Sequence, residues 1–228
     1  MRERGDLAVL HEPFMYHHYL TSTDRLFPDF TPEPGHPTRY EDIREMILAR
    51  ASATPVFFKD MAYYVLRDLP GDPDFMAAMS HAFLVRDPAE AALSYAKKDP
   101  AFTRLELGHE AQLLLFNALT RAGAQPLVMT ADQLRADPEG TLGRYWTHVG
   151  LSHAPDAFQW DTSVPAGWKS VANWHSEVLE SGAIRPASSQ DTEARLAALG
   201  APYTDHVAHH APAYAALCDI AERQAHQK

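Results

Sequence analysis

The chain has 228 residues, a formal net charge of -10 and 46% hydrophobic residues. This length and composition predict a single globular domain over residues 1–228, with enough chain to bury a substantial core. The acidic balance argues against a nucleic-acid partner, because a phosphate backbone needs a net basic surface.

Cysteine usage and the N-terminus bear on the compartment. The single cysteine, Cys218, excludes an intrachain disulfide and fits a reducing, cytoplasmic environment. The segment from Met1 to Gly5 is charged and lacks an apolar stretch, so a signal peptide is not expected. No apolar run is long enough to span a bilayer, and a soluble protein without a membrane partner is therefore expected.

Four short apolar runs predict β-strands. Each run is nearly continuous rather than alternating, which is typical of parallel strands covered on both faces. In chain order they are Leu7–Leu10, Val56–Phe58, Ala82–Val85 and Leu127–Met129.

Helical periodicity occupies much of the chain around these runs. The predicted helices are Tyr40–Ala53, Leu105–Ala122, the broken stretch Ala131–Leu134 with Pro138–Val149, Thr192–Leu199 and His206–Gln224. Strands that alternate with helices predict βαβ units, and hence a three-layer α/β/α fold around a central parallel sheet.

Two stretches rich in proline and glycine predict long irregular loops, Thr21–Thr38 and Pro155–Ser189. Loops of this length in a compact domain are usually binding loops or lids. The second stretch holds Trp160, Trp168 and Trp174. Packing beneath the loop explains such a group more readily than stacking on an aromatic ligand.

The most informative segment runs from His81 to Tyr95 and predicts a strand that turns into a helix. Arg86 ends the strand, Pro88 suits the first helical turn, and Ser94 follows two turns later. Ligands of open α/β sheets bind at the carboxyl ends of strands. A guanidinium, a hydroxyl and a helix N-terminus together favour a phosphate.

The stretch Phe83–Tyr95 resembles the 3′-phosphate motif of bacterial-type sulfotransferases that use 3′-phosphoadenosine 5′-phosphosulfate (PAPS). In that motif an Arg closes a strand and a Ser lies eight residues later, as Arg86 and Ser94 do here. The resemblance implies a P-loop-like α/β fold and PAPS as co-substrate, with Arg86 and Ser94 binding its 3′-phosphate. It implies no metal, and a hydroxyl or amine of a small molecule as acceptor.

Other segments share the resemblance, which runs from about Leu7 to about Leu151 and more faintly to Gly182. His11–Phe14 resembles the family's Glu-Pro turn, and Val56–Met61 resembles its strand that ends in Lys. Further segments resemble structural parts of the family, namely Thr130–Leu142 and Val149–Leu151.

The resemblance implies roles for four further residues. Glu12 is the first candidate for the base that takes the acceptor's proton, and Lys59 would stabilise the bridging oxygen. Asp60 and His11 are alternative bases. The His that follows the corresponding Lys in the animal branch of the family is absent, because Met61 follows Asp60.

One family feature is absent from the sequence. No Gly/Ser/Thr-rich loop for the 5′-phosphosulfate and no Walker-type pattern is found. We therefore expect a domain truncated at its N-terminus, without the family's first strand and phosphate loop. Such a chain would bind the donor poorly and turn over little or nothing.

Structural roles remain open for the same residues. Arg86 could cap a helix or form an ion pair with Asp87. Glu12 could be a carboxylate that stabilises a turn, and Asp60 could cap a helix. Lys59 could be a lysine at a strand end whose ammonium reaches water. Lys97 and Lys98 fit a solvated helix end.

Metal binding is disfavoured. His206, His209 and His210 have helical spacing, and His11 is near His17 and His18, but no matching carboxylate or Cys set accompanies them.

Two other functions stay open. One is a catalytically dead scaffold that binds a nucleotide or a protein; the other is a P-loop-type nucleotide or small-molecule kinase. The oligomeric state is not fixed by the sequence, and a homodimer is compatible with it.

Overall fold

The computed structural model describes residues 1–28, 30–160, 183–184 and 191–226. The chain divides into two compact units, Met1–Asp68 with Ala154–Arg185 and Leu69–His153 with Pro186–Lys228. Each unit contains a two-stranded parallel sheet with helices, and the predicted α/β fold class is confirmed. No helix in the described ranges is both long and apolar enough to cross a membrane.

The first unit is built on strands β1 and β2. They pair in parallel, with Ala8 opposite Val56 and His11 opposite Lys59. Its elements in chain order are β1 (Ala8–His11), α1 (Met15–His17), which continues as a π-helical turn over His18–Ser22, α2 (Tyr40–Ala51), β2 (Val56–Lys59) and α3 (Ala62–Val65).

The core of the first unit forms between the sheet and α2. Ile43 and Ile47, two of the apolar positions of the predicted helix, are buried on α2. The Phe14 ring lies 5.2 Å from the Tyr40 ring and 6.2 Å from the Phe58 ring, measured between centroids. This aromatic packing anchors the chain immediately after β1.

The second unit is larger and mainly helical. Its strands β3 and β4 pair in parallel, with Ala82 opposite Leu127 and Val85 opposite Thr130. The elements are α4 (Pro73–Ala77), β3 (Ala82–Val85), α5 (Pro88–Lys98), α6 (His109–Arg121), β4 (Leu127–Thr130), α7 (Ala131–Ala136), α8 (Pro138–His148), α9 (Thr192–Leu199) and α10 (Tyr203–His226).

Three helices of this unit begin with an Asp-Pro pair. The carboxylates of Asp72, Asp87 and Asp137 accept hydrogen bonds from backbone N–H groups of the first turns of α4, α5 and α8. The proline that follows needs no hydrogen-bond acceptor in the first helical turn. The sequence therefore fixes these helix starts locally.

The C-terminal helix α10 completes the core of the second unit and packs against β4, α5 and α6. Leu217 and Ala221 on this helix are buried. The Gln224 side chain accepts a 2.7 Å bond from the Val128 N–H and donates a 3.0 Å bond to the Pro126 carbonyl. These bonds satisfy backbone groups at the start of β4.

Two of the predicted helices have different bounds in the structure. The helix predicted from Leu105 is divided, because Gly108 has the left-handed φ of 78°. A 3₁₀ turn over Arg104–Leu107 precedes this break, and α6 follows it. The last helix begins earlier than predicted, at Tyr203, and continues through Pro212.

Burial differs between the two strands of the second unit. Val128, Met129 and Thr130 are buried in succession, so β4 is covered on both faces. In β3, Phe83 and Val85 are buried whereas Leu84 is 50% exposed. The apolar runs of the two strands look alike in sequence, and only their neighbours decide which side chains are covered.

Candidate active site

The carboxyl ends of β1 and β2 bring together the residues that the sequence predicts as catalytic. His11 and Lys59 are register partners in the last positions of the two strands. The Glu12 N–H donates a 3.1 Å bond to the Lys59 carbonyl, which extends the pairing by one residue. His11, Glu12, Lys59 and Asp60 therefore lie at one edge of one sheet.

Glu12 is buried and has an unusual backbone, with a φ of 41°. A side chain other than glycine in this region costs about 1–3 kcal/mol and persists only when its surroundings hold it. Its Oε1 accepts a short bond from the Lys59 ammonium, and its Oε2 accepts a 3.2 Å bond from the Tyr64 hydroxyl. Both carboxylate oxygens are thus bound by donors.

Asp60 follows β2 and binds the turn that holds Glu12. Its Oδ1 accepts a 3.1 Å bond from the Phe14 N–H. Its Oδ2 is buried and has no hydrogen-bond partner within the described ranges, although part of the residue reaches the surface. Burial of the carboxyl raises the pKa of Asp60 well above its usual value, and the charge of Glu12 raises it further.

His11 is half-buried beside the Glu12–Lys59 ion pair. Burial lowers the pKa of its imidazole, and the charge of Lys59 acts in the same direction, while Glu12 opposes them. The ring is therefore neutral near pH 7 and can accept a proton.

Aromatic rings pack around the ring of Tyr64, whose hydroxyl binds Glu12. The Tyr64 ring lies 4.8 Å from Tyr63, 5.2 Å from His18 and 5.8 Å from Tyr19, measured between centroids. All four side chains are buried. This packing fixes the phenol that binds Glu12.

In the second unit, Arg86 follows β3 as predicted, and its side chain is 48% exposed. Its Nε donates a 3.0 Å bond to Glu90, and its carbonyl accepts a 2.7 Å bond from His109 Nε2. The helix cap is supplied by Asp87, whose Oδ1 accepts from the N–H groups of Ala89 and Glu90. Arg86 thus pairs with Glu90 rather than with Asp87.

Glu90 connects Arg86 to a second guanidinium. Arg135 Nη1 and Nη2 donate to the two Glu90 oxygens at 3.1 and 2.8 Å. This two-pronged contact is the strongest geometry for an arginine and a carboxylate. The hydrogen bonds from Arg135, and then from Arg86, lower the pKa of Glu90 and keep it charged.

Ser94 lies on α5, eight residues after Arg86, and is half-buried. Glu90 is midway between these two residues in the sequence. A spacing of four residues places Glu90 and Ser94 on the same face of the helix. The second predicted donor to a phosphate therefore lies on the same helix as Glu90, the partner of Arg86.

The remaining candidates form other contacts. His210 donates from Nε2 to the Arg104 carbonyl at 2.7 Å, and its Nδ1 accepts from the Glu110 N–H at 3.3 Å. His17 contacts Asp68 and the Thr38 carbonyl. In the part of the chain that the structure describes, no group of three or more His, Cys, Asp or Glu side chains could hold a metal.

The structure gives partial information on the other predicted sites. Lys97 and Lys98 form the last positions of α5. Trp160 lies just after the 3₁₀ turn Pro155–Phe158 and is half-buried, whereas Trp168 and Trp174 lie outside the described residues.

A comparison with protein families identifies the chain. The family model described as "Sulfotransferase domain" matches residues 1–218. The chain belongs to the sulfotransferase family. The match includes both groups of candidate residues, and the sulfotransferase domain fits the P-loop-like α/β fold that the sequence predicted.

Two curated relatives share part of their length with this sulfotransferase domain. "Branched-chain-amino-acid aminotransferase-like protein 2" of Arabidopsis thaliana is 26% identical over 161 residues, which are 70% of this chain and 28% of the relative. "Branched-chain-amino-acid aminotransferase-like protein 1" of Arabidopsis thaliana is 26% identical over 182 residues, which are 78% of this chain and 32% of the relative. The chain thus spans about a third of the length of these relatives. The search of solved structures gives no match.

Four residues that bind the predicted site residues Glu12 and Arg86, directly or through Glu90, were not identified from the sequence. Glu90 could have been found, because it lies four residues after Arg86, in the first turn of the helix predicted to begin at Pro88. Tyr64, His109 and Arg135 carry no such signal, since their contacts bridge 52, 23 and 45 positions of the chain.

Proposed function

We propose that this sulfotransferase domain transfers a sulfuryl group from PAPS to a hydroxyl or amine of a small molecule. The observation that supports this proposal most directly is the state of Arg86. Its Nε is bound by Glu90, and within the described ranges no protein group bonds to its Nη1 or Nη2. Two guanidinium donors at the end of a strand are thus available to an anion.

The 3′-phosphate of PAPS matches these donors. Two of its oxygens would accept from Nη1 and Nη2 of Arg86, and the Ser94 hydroxyl would donate to the same phosphate. This phosphate is absent from ATP, so the two residues would select PAPS over ATP.

The Glu12–Lys59 pair would carry the chemistry. The oxygen or nitrogen of the acceptor attacks sulfur, the bond from sulfur to the bridging phosphate oxygen breaks, and 3′,5′-ADP leaves. Glu12 takes the acceptor's proton, and the Lys59 ammonium neutralises charge on the leaving oxygen. The products are the sulfated acceptor, 3′,5′-ADP and one proton, so atoms and charges balance.

The other two candidate bases suit this step less well. A base must be deprotonated, and burial together with the charge of Glu12 raises the pKa of Asp60, which favours its protonated form. Asp60 instead holds the turn of Glu12 through the Phe14 N–H. His11 is the second candidate, because its lowered pKa leaves a neutral ring beside the pair.

The donor is tested by titration with 3′,5′-ADP, 5′-AMP and ATP, followed by protein NMR, which measures weak as well as tight binding. We expect 3′,5′-ADP to bind more tightly than the other two. Arg86→Ala should remove about 2–4 kcal/mol of that affinity, because a phosphate charge loses its partner. Arg121→Ala removes an exposed guanidinium of the same unit and is the matched control.

This titration and a turnover assay also distinguish the two alternative functions, a kinase and a catalytically dead scaffold. Preference for ATP would overturn the proposal in favour of a kinase. Binding of 3′,5′-ADP without sulfated product, when PAPS is incubated with a metabolite extract and analysed by mass spectrometry, would indicate the catalytically dead scaffold.

A further inference from the structure

We infer that Glu90 and Arg135 form a buttress that orients the Arg86 guanidinium toward the 3′-phosphate. This inference rests on the phosphate site proposed above and adds two positioning residues to it. Neither residue would touch the ligand; both would act through Arg86.

The exposed fraction of the side chain increases from Arg135 through Glu90 to Arg86. Arg135 is 17% exposed, Glu90 20% and Arg86 48%. The two-pronged Arg135–Glu90 contact is therefore the shielded part, and the single contact to Arg86 is the outer part. A fixed inner pair can hold an outer side chain that would otherwise sample many rotamers.

Glu90 binds Arg86 at Nε, and this choice of atom decides which nitrogens of the guanidinium can bind a ligand. Glu90 Oε2 accepts from Nε, at 3.0 Å, and not from the terminal nitrogens. This leaves Nη1 and Nη2 for a ligand, and both lie in the guanidinium plane that the Nε contact orients. The carbonyl of Arg86, bound by the buried His109, fixes the backbone of the same residue.

A different role for Glu90 leads to the opposite prediction. If its carboxylate only competed with the phosphate for Arg86, its removal would tighten phosphate binding, since like charges repel. If it orients Arg86, its removal weakens binding although a negative charge is lost. The sign of the change therefore separates the two roles.

The experiment compares three variants of the full chain in titrations with 3′,5′-ADP and 5′-AMP. For Glu90→Ala we expect the affinity for 3′,5′-ADP to fall by about tenfold, while that for 5′-AMP stays unchanged. Glu90→Gln should recover part of the affinity, because its amide oxygen can still accept from Arg86 Nε while its amide N–H₂ cannot accept from Arg135. Glu139→Ala removes an exposed carboxylate of the same unit and controls for charge.

A second readout needs no ligand. In the wild-type protein we expect a resolved Arg86 Nε–Hε signal in side-chain NMR, and Glu90→Ala should move it to the position of a free arginine. An unmoved signal, or tighter 3′,5′-ADP binding in Glu90→Ala, would overturn the buttress. A wild-type protein without preference for 3′,5′-ADP would overturn the phosphate site, while the Arg86 signal would still report on the contact itself.

Discussion

The backbone N–H of Phe14 donates a 3.1 Å hydrogen bond to Oδ1 of Asp60, across 46 positions of the chain. This bond joins the segment after β1 to the segment after β2 and encloses Glu12 with its strained backbone. The other oxygen of the same carboxyl is buried without a partner in the described part of the chain. The contact thus combines a structural tie with a carboxyl that resists ionisation.

Asp60 should give the protein a specific dependence of stability on pH. Its folded pKa is raised, so a neutral Asp60 contributes stability that is complete below the unfolded pKa of about 3.9 and is lost as pH rises through the folded pKa. Asp60→Asn keeps the acceptor for Phe14 and cannot ionise. We expect the variant to gain stability relative to wild type as pH rises from about 4.

This prediction is checked by urea unfolding over a pH series. The difference between Asp60→Asn and wild type removes the titrations that both proteins share. Asp24→Asn, at an exposed loop position, should show no such trend. A difference that is constant with pH would show that Asp60 ionises normally.

We expect turnover of the wild-type chain to be low already, and Glu12→Gln should lower the rate of sulfuryl transfer further, by about 10²–10⁴-fold, the range expected for loss of a general base. The affinity for 3′,5′-ADP should stay unchanged, because the variant retains the shape of the side chain. The assay follows conversion of PAPS to 3′,5′-ADP in the presence of a metabolite extract.

Tyr64→Phe is the companion variant for Glu12. It removes the 3.2 Å bond to Oε2 but leaves the carboxylate and its contact with Lys59. We expect a smaller loss of rate than for Glu12→Gln. Full activity in Glu12→Gln would eliminate Glu12 as the base and direct attention to His11.

His210→Phe should destabilise the second unit by about 2 kcal/mol, because the Arg104 carbonyl and the Glu110 N–H lose a buried partner. Burial lowers the pKa of His210, so its stabilising effect is present above the unfolded value of about 6.5 and is lost as pH falls through the folded value. The free energy of unfolding of the variant should therefore fall less steeply than that of wild type as pH decreases below about 6.5, measured by thermal or urea unfolding.

The neighbouring His209 provides the control. Its ring is 35% exposed and binds the exposed Glu110 carboxylate. His209→Phe should cost about 0.5 kcal/mol or less. Equal losses in the two variants would mean that the backbone contacts of His210 contribute nothing specific.

Two glycines of α8 should respond to alanine with opposite signs. At Gly140 an added Cβ would lie 2.0 Å from Asp137 Oδ2, so the capping carboxylate must move away. Loss of this cap costs about 1 kcal/mol. At Gly143 an added Cβ meets nothing within 4 Å, and Gly143→Ala should stabilise the helix by about 0.5–1 kcal/mol.

Urea unfolding of the two single variants tests this pair. Stabilisation by Gly140→Ala would contradict the capping role of Asp137. It would also weaken the same interpretation for Asp87, which begins α5 with an equivalent Asp-Pro pair.

Local chemistry explains what could be predicted. The apolar runs identify the four strands of the described residues to within a residue, because burial in a sheet removes much of such a run from water. Asp-Pro pairs define helix starts, because the cap and the ring act within one turn. The strand ends at Lys59 and Arg86 also follow from the sequence, and a charged side chain at such a point indicates a site.

Contacts between distant segments explain what could not be predicted. Nothing near Glu12 in the sequence indicates that Lys59 and Tyr64 bind its two oxygens. Likewise, Arg135 reaches Glu90 only because the chain between them folds back.

The sequence by itself determined the α/β class, the family and the strand-end positions of Glu12, Lys59 and Arg86, because these depend on periodicity and on motifs within a few residues. Only the tertiary structure decided how such side chains are held: Glu12 is bound by two donors, burial raises the pKa of Asp60, and Arg86 is held at Nε with its other nitrogens available. The reason is physical, since burial and hydrogen bonding depend on neighbours in space, and those neighbours lie tens of residues away along the chain.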